Sequence, residues 1–493
     1  MKRLIFNLTF LITFFVVSCD NMLTESPKDL VVEDFYNSTA EVESALAASI
    51  DPVRGRMSGW WISTLDCHTV WGAGLAGSAN FDSYKSMNGL SSVGASNLIP
   101  NWDVFYQSIR NANLVIANVP NSEVLSEEQK TRFLAEARFF RSFAYFQLVR
   151  GWGGVPIYTE ENMDQTTGAP RATQEEVYNL ITNDLEFAEN NLPNEPPVLG
   201  RPDMWSAKTM LADVYFFQER YSDAATKANE VIQSGKYSLV EVTVPDDFNN
   251  LFGMDANSNE EIFYLKYNQQ STSGLVLHTM PIDTPWFGSN GYGIFQWHDG
   301  AQFYTEWNDD DFRKQFNWYV ADEDKVNPFI GSDPYFPNEG VNKLAPKKYN
   351  APEATSSTFD LPVYRYADVL LIYAEASARA VGSPTAEGLE ALNMVHRRAY
   401  GHNPTEPSPV DLSLSDYPDT DSFIDRVVKE RGYEFQFEGK RWFDLKRSGR
   451  VFEVMEEYIG REVAEKHLLW PIPEEEFDLN EAMDPSTGQN PGY

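Results

Sequence analysis

The spacing of apolar side chains divides this chain into stretches with a helical period and stretches with none. Over 32–53, Phe35, Val42, Ala45, Leu46 and Ile50 recur on one side and predict a helix. A succession of helices follows from 101 to 235. The segment 101–119 leads to one that opens on Ser126 with Gln129 three residues on, a pairing that closes a helix N-terminus. Its body, FLAEARFFRSFAYFQLVRGWGGVPIY, is apolar nearly all round, as a helix inside a core is. Thr173 opens the next helix, through 192. The segments 205–217 and 221–234 carry Ala207, Ala212, Ala224, Ala225 and Ala228 where two helices would touch, a tetratricopeptide-type pair. A similar pair recurs at 364–380 and 385–400.

The last periodic stretch, 423–450, predicts one long helix with Ile424, Val428, Arg431, Phe435, Glu438, Trp442 and Leu445 on a single stripe. Charges on such a stripe must be paired where they are buried. Glu434 and Arg441, each one turn away, are the partners at hand. Gly432 and Gly439, seven apart, predict close approach of another backbone.

Between these elements the period disappears twice. Residues 54–100 hold seven glycines with Trp60, Trp61, Trp71, Phe81 and Tyr84. Residues 236–361 contain the strand-like EEIFYLKYN (260–268), which precedes a turn-rich run with eight aromatics in the 22 residues from Trp286 to Trp307. Loops of this length inside a compact chain are functional or disordered, and a disordered one would not carry so many rings. The fold class expected is mainly α: a tetratricopeptide-like helical-repeat scaffold (about 32–53, 101–235 and 362–460) with long loop-rich insertions and short strands. A single domain over 19–493 is expected.

Charge and the N-terminus narrow the setting. A formal net charge of −34 over 493 residues argues against nucleic-acid binding and against electrostatic adhesion to anionic lipid. Lys2 and Arg3 precede an apolar run over 4–17 that ends Val16-Val17-Ser18-Cys19, the pattern of a lipoprotein signal peptide (1–18) with Cys19 acylated. Cys67 is then the one other cysteine, and no disulfide framework is expected. With His68 beside it a nucleophile is conceivable, but sequence neighbours rarely form a working pair, and a half-buried structural cysteine is expected.

Five landmarks occur in one order over almost the whole mature chain: the lipobox cysteine, EARFFRSFAYFQLVRGWGGVPIY, YRYADVLLIYAEA, ERGYEFQFEGKRWFDLKR, and the closing LLWPIP with QNPGY. In these the chain resembles the SusD/RagB family, the surface glycan-binding lipoproteins of Bacteroidetes. The resemblance implies about four tetratricopeptide-like helix pairs on one side and a glycan site on less regular loops on the other. It further implies a lipid anchor in the outer membrane and a partner, a SusC-like TonB-dependent transporter that receives oligosaccharide.

Sugars offer C–H faces that lie on aromatic rings and hydroxyls that need paired donors and acceptors. Both insertions have the makeup to meet them. In the first, Trp60, Trp61, Trp71 and Tyr84 stand near Arg54, Asp66, His68, Asn80 and Asp82. In the second, Trp286, Tyr292, Phe295 and Trp297 stand near Asp283, Asn290, Gln296 and His298. The competing role for any of these rings is to pack the loop onto the scaffold, the role expected of Trp102, Trp152 and Trp205. The ligand expected is neutral, such as the β-glucan laminarin; a basic patch at Lys343, Lys347 and Lys348 would instead suit uronates.

No enzyme signature accompanies these residues. The six histidines are scattered without metal-ligand spacing, and neither a GxSxG elbow nor a phosphate loop occurs. Glu434 and Glu438 form a carboxylate pair, but with arginines close by they read as salt-bridge partners. Asp309, Asp310 and Asp311 lack the alternation of a calcium loop, so an ion-paired turn is expected ahead of a structural calcium. No cofactor is called for. A non-catalytic glycan-capturing lipoprotein is therefore expected, against a tethered polysaccharide hydrolase or a purely structural transporter subunit.

Overall fold

The computed structural model describes residues 35–71, 98–254, 256–268, 270–274, 300–320, 342–349, 358–460 and 462–493, with Tyr84, Leu90 and the backbone of Trp297 and His298. Its first half is helical: α1 (Thr39–Arg56), α2 (Ile62–Cys67), α3 (Leu98–Asn118), α4 (Glu127–Trp152), α5 (Gln174–Asn191), α6 (Met204–Phe217) and α7 (Tyr221–Gln233). Short strands follow, β1 (Glu261–Leu265) and β2 (Trp297–His298), then α8 (Phe312–Asn317), β3 (Trp318–Val320), β4 (Asn342–Pro346) and β5 (Leu361–Arg365). Helices return as α9 (Tyr366–Val381), α10 (Ala386–Ala399), α11 (Thr420–Glu434), α12 (Arg441–Ser448) and α13 (Val451–Ile459).

The helices start where their caps dictate. Ser126 accepts from the Gln129 amide (3.2 Å) while the Gln129 side chain accepts from the Ser126 amide (2.9 Å), and Thr173 and Glu176 do the same for α5. Each pair satisfies two backbone donors that a helix N-terminus leaves open. In α4, Phe139, Phe140, Phe143, Tyr145 and Phe146 are all fully buried, so this helix is enclosed as its sequence predicts. Ala207, Ala212, Ala224 and Ala228 are fully buried where α6 meets α7.

One stack runs through these helices. α1 packs on α3, each helix from α3 to α6 packs on the next, and α7 packs on α9, which in turn packs on α10 and α11. The stack thus skips both insertions: α1 and α3 are neighbours although 41 residues separate them, and so are α7 and α9 across 132 residues. The insertions are spliced between consecutive members of a helical array. Their strands form two small antiparallel sheets, β1 with β5, and β2–β4–β3.

Two expectations need correction. Residues 54–67 are not loop: α1 runs through a π-helical turn (Met57–Trp61) into α2. The stretch 423–450 is not one helix, because α11 stops at Glu434 and α12 begins at Arg441. Between them Phe437 (φ 62°) and Gly439 (φ 69°) are left-handed, which a continuing right-handed helix forbids.

The C-terminal segment closes the first half of the fold. The Trp470 amide donates to the Gly151 carbonyl (2.9 Å), and the Asn490 side chain donates to the carbonyls of Trp152 (2.9 Å) and Trp470 (2.6 Å). Arg171 donates to Gly488 (2.7 Å) and to Asn490 (2.6 Å). Gly151 is required there: a Cβ would stand 2.8 Å from the Trp470 ring.

Candidate functional site

The break between α11 and α12 is where both insertions are fixed to the scaffold. A helix that stops leaves carbonyls unpaired and carries partial negative charge at that end. Here cations from elsewhere receive them. Arg365 donates to the Glu434 carbonyl (2.9 Å), and Lys348 donates to the Gln436 carbonyl (3.0 Å). Trp318 Nε1 and the Asn317 amide donate to Gln436 Oε1 (2.9 and 3.2 Å). These partners belong to β5 and to the second insertion, so the turn exists to be gripped.

Around it lies a buried ionic cluster. Arg365 reaches Glu260 (2.7 Å), Glu434 (2.5 Å) and Glu438 (2.9 Å), and Arg398 reaches Glu260 (3.0 Å) and Glu434 (2.5 Å). Arg313 of α8 spans Asp311 (2.7 Å), Glu430 (2.7 Å) and Glu434 (3.1 Å), and Lys348 meets Glu438 at 2.6 Å. Burial alone would raise the glutamate pKa values, but the surrounding guanidinium groups win and hold Glu430, Glu434 and Glu438 below the usual carboxylate range. Burial outweighs Glu438 at Lys348 and pulls its ammonium down to about 8. Asp66 is different: burial drives its carboxyl well above the usual value, and the Gly439 amide and Lys348 offset only part of that.

The carboxylate pair Glu434 and Glu438 is therefore ion-paired, as its arginine-rich surroundings suggested. The partners are another matter. They lie 36 to 121 residues away in sequence, whereas Arg441 donates to the Val428 carbonyl and Arg431 pairs with Asp444. Gly432 makes room for the Arg441 guanidinium and not for a backbone; Gly439 lies against Ile62 and Leu65 of α2. Asp311 and Asp309 are held by Arg313 and Lys314. Lys348 is buried in the cluster and Lys347 lies 3.8 Å from Asp246, so the basic patch drawn through them and Lys343 is not assembled by the described residues.

The first insertion enters by aromatic packing. Trp61 is 1% exposed, edge-on to Phe105 (5.0 Å) and Trp470 (5.3 Å) and parallel to Trp152 (6.3 Å). Trp71 is 3% exposed with its ring against Phe303, and Tyr84 is fully buried beside His68. A ring enclosed in this way has no face to offer a sugar, so the binding role expected of Trp61, Trp71 and Tyr84 is corrected to packing. Trp60 is the half-buried ring of the four, with Arg56 over it at 5.2 Å.

Their polar neighbours are engaged as well. Trp470 Nε1, which can only donate, points at His68 Nε2 (3.0 Å), so Nδ1 carries the proton to the Thr64 carbonyl (2.8 Å) and the imidazole is neutral. Cys67 is fully buried, deeper than expected, and His68 has no nitrogen free to activate it. Arg54 donates to the Lys266 carbonyl (3.0 Å) and Ser271 (2.9 Å), and Tyr267 donates back to the Arg54 carbonyl (2.7 Å). With the Trp71–Phe303 contact, this sets the two insertions side by side.

Of the remaining candidates, Trp297 has its backbone in β2, paired to Leu344 of β4. Trp286, Asn290, Tyr292, Phe295, Gln296, Asn80, Asp82 and Cys19 lie outside the described residues. Sequence reasoning missed Glu260, Arg365 and Arg398; the one signal was a charged residue, Arg365, inside the apolar run LPVYRYADVLL.

Known proteins share this architecture. A family model described as "SusD family" matches residues 295–493, and one described as "Starch-binding associating with outer membrane" matches 63–216. These define the class, a SusD-like protein of a glycan-binding family. The family models, the curated relatives and the solved structures alike point to the SusD/RagB family. It is 27% identical over 499 residues to SusD-like protein P38 of Formosa agariphila, covering 92% of both chains. A SusD superfamily protein from Parabacteroides distasonis superposes with a TM-score of 0.73 at 25% identity, over 92% of this chain and 99% of that one. A structure described as a laminarin-binding SusD-like protein superposes with a TM-score of 0.73 at 22% identity, over 93% and 100%.

Proposed function

We propose that this chain captures a neutral oligo- or polysaccharide at the cell surface, as one domain tethered through acylated Cys19, and passes it to a SusC-like TonB-dependent transporter in the outer membrane. The observation that carries this reading is the convergence of both aromatic-rich insertions on one rigid turn, with Arg54 and the Trp71–Phe303 contact joining them. Rings at Trp286, Tyr292, Phe295 and Trp297, with Asn290, Gln296, Asn80 and Asp82, would provide the stacking faces and hydroxyl partners, and Trp60 a further edge. A β-glucan such as laminarin suits the acidic chain, and a laminarin-binding protein shares its fold. The non-catalytic reading is supported by Glu434 and Glu438, whose charges arginines and Lys348 neutralise. Among the described residues no helix is long and apolar enough to cross a membrane.

The test is calorimetric titration of the chain starting after Cys19 with laminarin and with alginate. Saturable binding of laminarin, lost in Trp286→Ala or Trp297→Ala and without release of shorter sugars, is expected. Product release abolished by one carboxylate substitution would make the protein a hydrolase. Transporter association without affinity for either glycan would make it a structural subunit.

A further inference from the structure

A second surface has the makeup of a binding site and is lined by residues other than the aromatic candidates. A groove of about 890 Å³ opens between the segment 237–259 and the loop after α10. That volume is within the range of small-ligand sites. Its floor is Tyr237, Leu239 and Tyr366, all buried. Its rim carries five amides: Asn249, Asn250, Asn257, Asn259 and Asn403, each exposed. Among the described residues no intramolecular hydrogen bond engages the side chains of Asn250, Asn257 or Asn259.

The walls are rigid. The Val240 amide donates to Glu260 Oε2 (3.1 Å), the Ser238 amide to the Asn259 carbonyl (3.1 Å) and the Tyr366 amide to the Glu260 carbonyl (2.9 Å). Phe248, just before Asn249, lies under the Arg398 guanidinium at 5.1 Å. The buried ionic cluster therefore fixes one side of the groove, so its amides are presented without a large ordering cost.

The lining chemistry selects a ligand. An amide offers donors and an acceptor together, as each sugar hydroxyl does, so neighbouring amides match neighbouring hydroxyls. Among the described lining residues there is no lysine or arginine and one carboxylate, Glu241. In a chain of net charge −34 that is a locally neutral surface, with nothing to neutralise a sulfate or uronate. We infer that this asparagine-rimmed groove is a second contact for a neutral saccharide, separate from the aromatic loops. Two such contacts on one polysaccharide raise its retention through effective concentration. The inference rests on the glycan reading above for its choice of probes.

Hydrogen exchange of the full chain with laminarihexaose, maltohexaose and an alginate hexamer tests it. At least a twofold slowing in peptides over 237–259 is expected with one of the neutral hexaoses and none with alginate. The triple variant Asn250→Ala, Asn257→Ala, Asn259→Ala, all on the exposed rim, is expected to melt as the parent does and to lose that slowing. Absence of slowing over 237–259 with both neutral sugars overturns the groove, whatever the loops do. Equal slowing with alginate, or slowing retained in the triple variant, overturns it too. Slowing over 237–259 with none over 286–298 keeps the groove and sinks the loop reading.

Discussion

The two insertions are secured by opposite physics. The first is held by rings: Trp61 interlocks with Phe105, Trp152 and Trp470, and His68, beside Tyr84, packs on Trp442. The second is held at its base by charge, with Arg313 and Lys348 reaching Glu430, Glu434 and Glu438 across the α11–α12 turn. Ring packing distributes its stabilisation over many weak contacts, so trimming one partner removes a fraction. A buried ionic cluster concentrates it, because losing one ion leaves its partners charged in a low-dielectric interior. The first insertion should tolerate conservative change; the second should not.

The largest effect expected is at Arg365, which neutralises three glutamates. Arg365→Ala should cost roughly 3–5 kcal/mol, the loss found when a buried pair is broken from one side. Urea denaturation reads it, and hydrogen exchange over 300–320 should rise. Arg365→Lys should recover little, since one ammonium cannot replace a fork that serves three carboxylates. Because the cluster is buried, 1 M salt should leave the penalty nearly unchanged. A penalty that salt removes would break the comparison.

Trp61→Phe tests the other side. It keeps a ring against Phe105 and trims volume, and should cost roughly 1–3 kcal/mol in the same assay. A loss as large as that at Arg365 would show that the rings are as intolerant as the charges. Because Trp61 packs, laminarin affinity in this variant should stay within about twofold of the parent; a tenfold loss, some 1.4 kcal/mol, would return Trp61 to the binding surface.

Asp66 offers a pH test. Burial raises its native pKa, so the folded chain holds a proton that the unfolded chain has released above the ordinary carboxyl value. Stability from this group therefore falls as pH rises from about 4 toward the native pKa. Asp66→Asn should raise the melting temperature at neutral pH, and the gain should shrink toward pH 4. A gain that does not vary with pH would reject the buried acid. Least should come from Asp425→Ala, which removes an exposed partner of Arg450 and should shift stability by no more than about 0.5 kcal/mol.

The scaffold was legible in sequence because helices write themselves locally. Ser126–Gln129 and Thr173–Glu176 announce their termini, and the small residues of α6 and α7 announce their contact. Arg431 and Glu438, the charges on the predicted stripe, are both buried and both paired, as burial of such charges requires. What was not legible was non-local. The partners of Glu434 arrive from β5, α8 and α10, and the turn at Phe437 is made by what grips it, not by glycine alone. Nor does aromatic content tell display from packing: Trp60 and Trp61 are adjacent, yet one is half-buried and the other enclosed.

The stitching of Trp470 and Asn490 onto the end of α4 also sets the order of folding. Gly151 and Trp152 emerge from the ribosome more than 300 residues before the groups that cover them. Until then the Trp152 ring and the carbonyls around it stay open, and loop closure over that length is slow. The core of the first half cannot be completed during synthesis. A chain whose earliest-made helices wait for its last segment stays loose until it is whole, the condition in which a polypeptide can be threaded through a narrow passage before it folds.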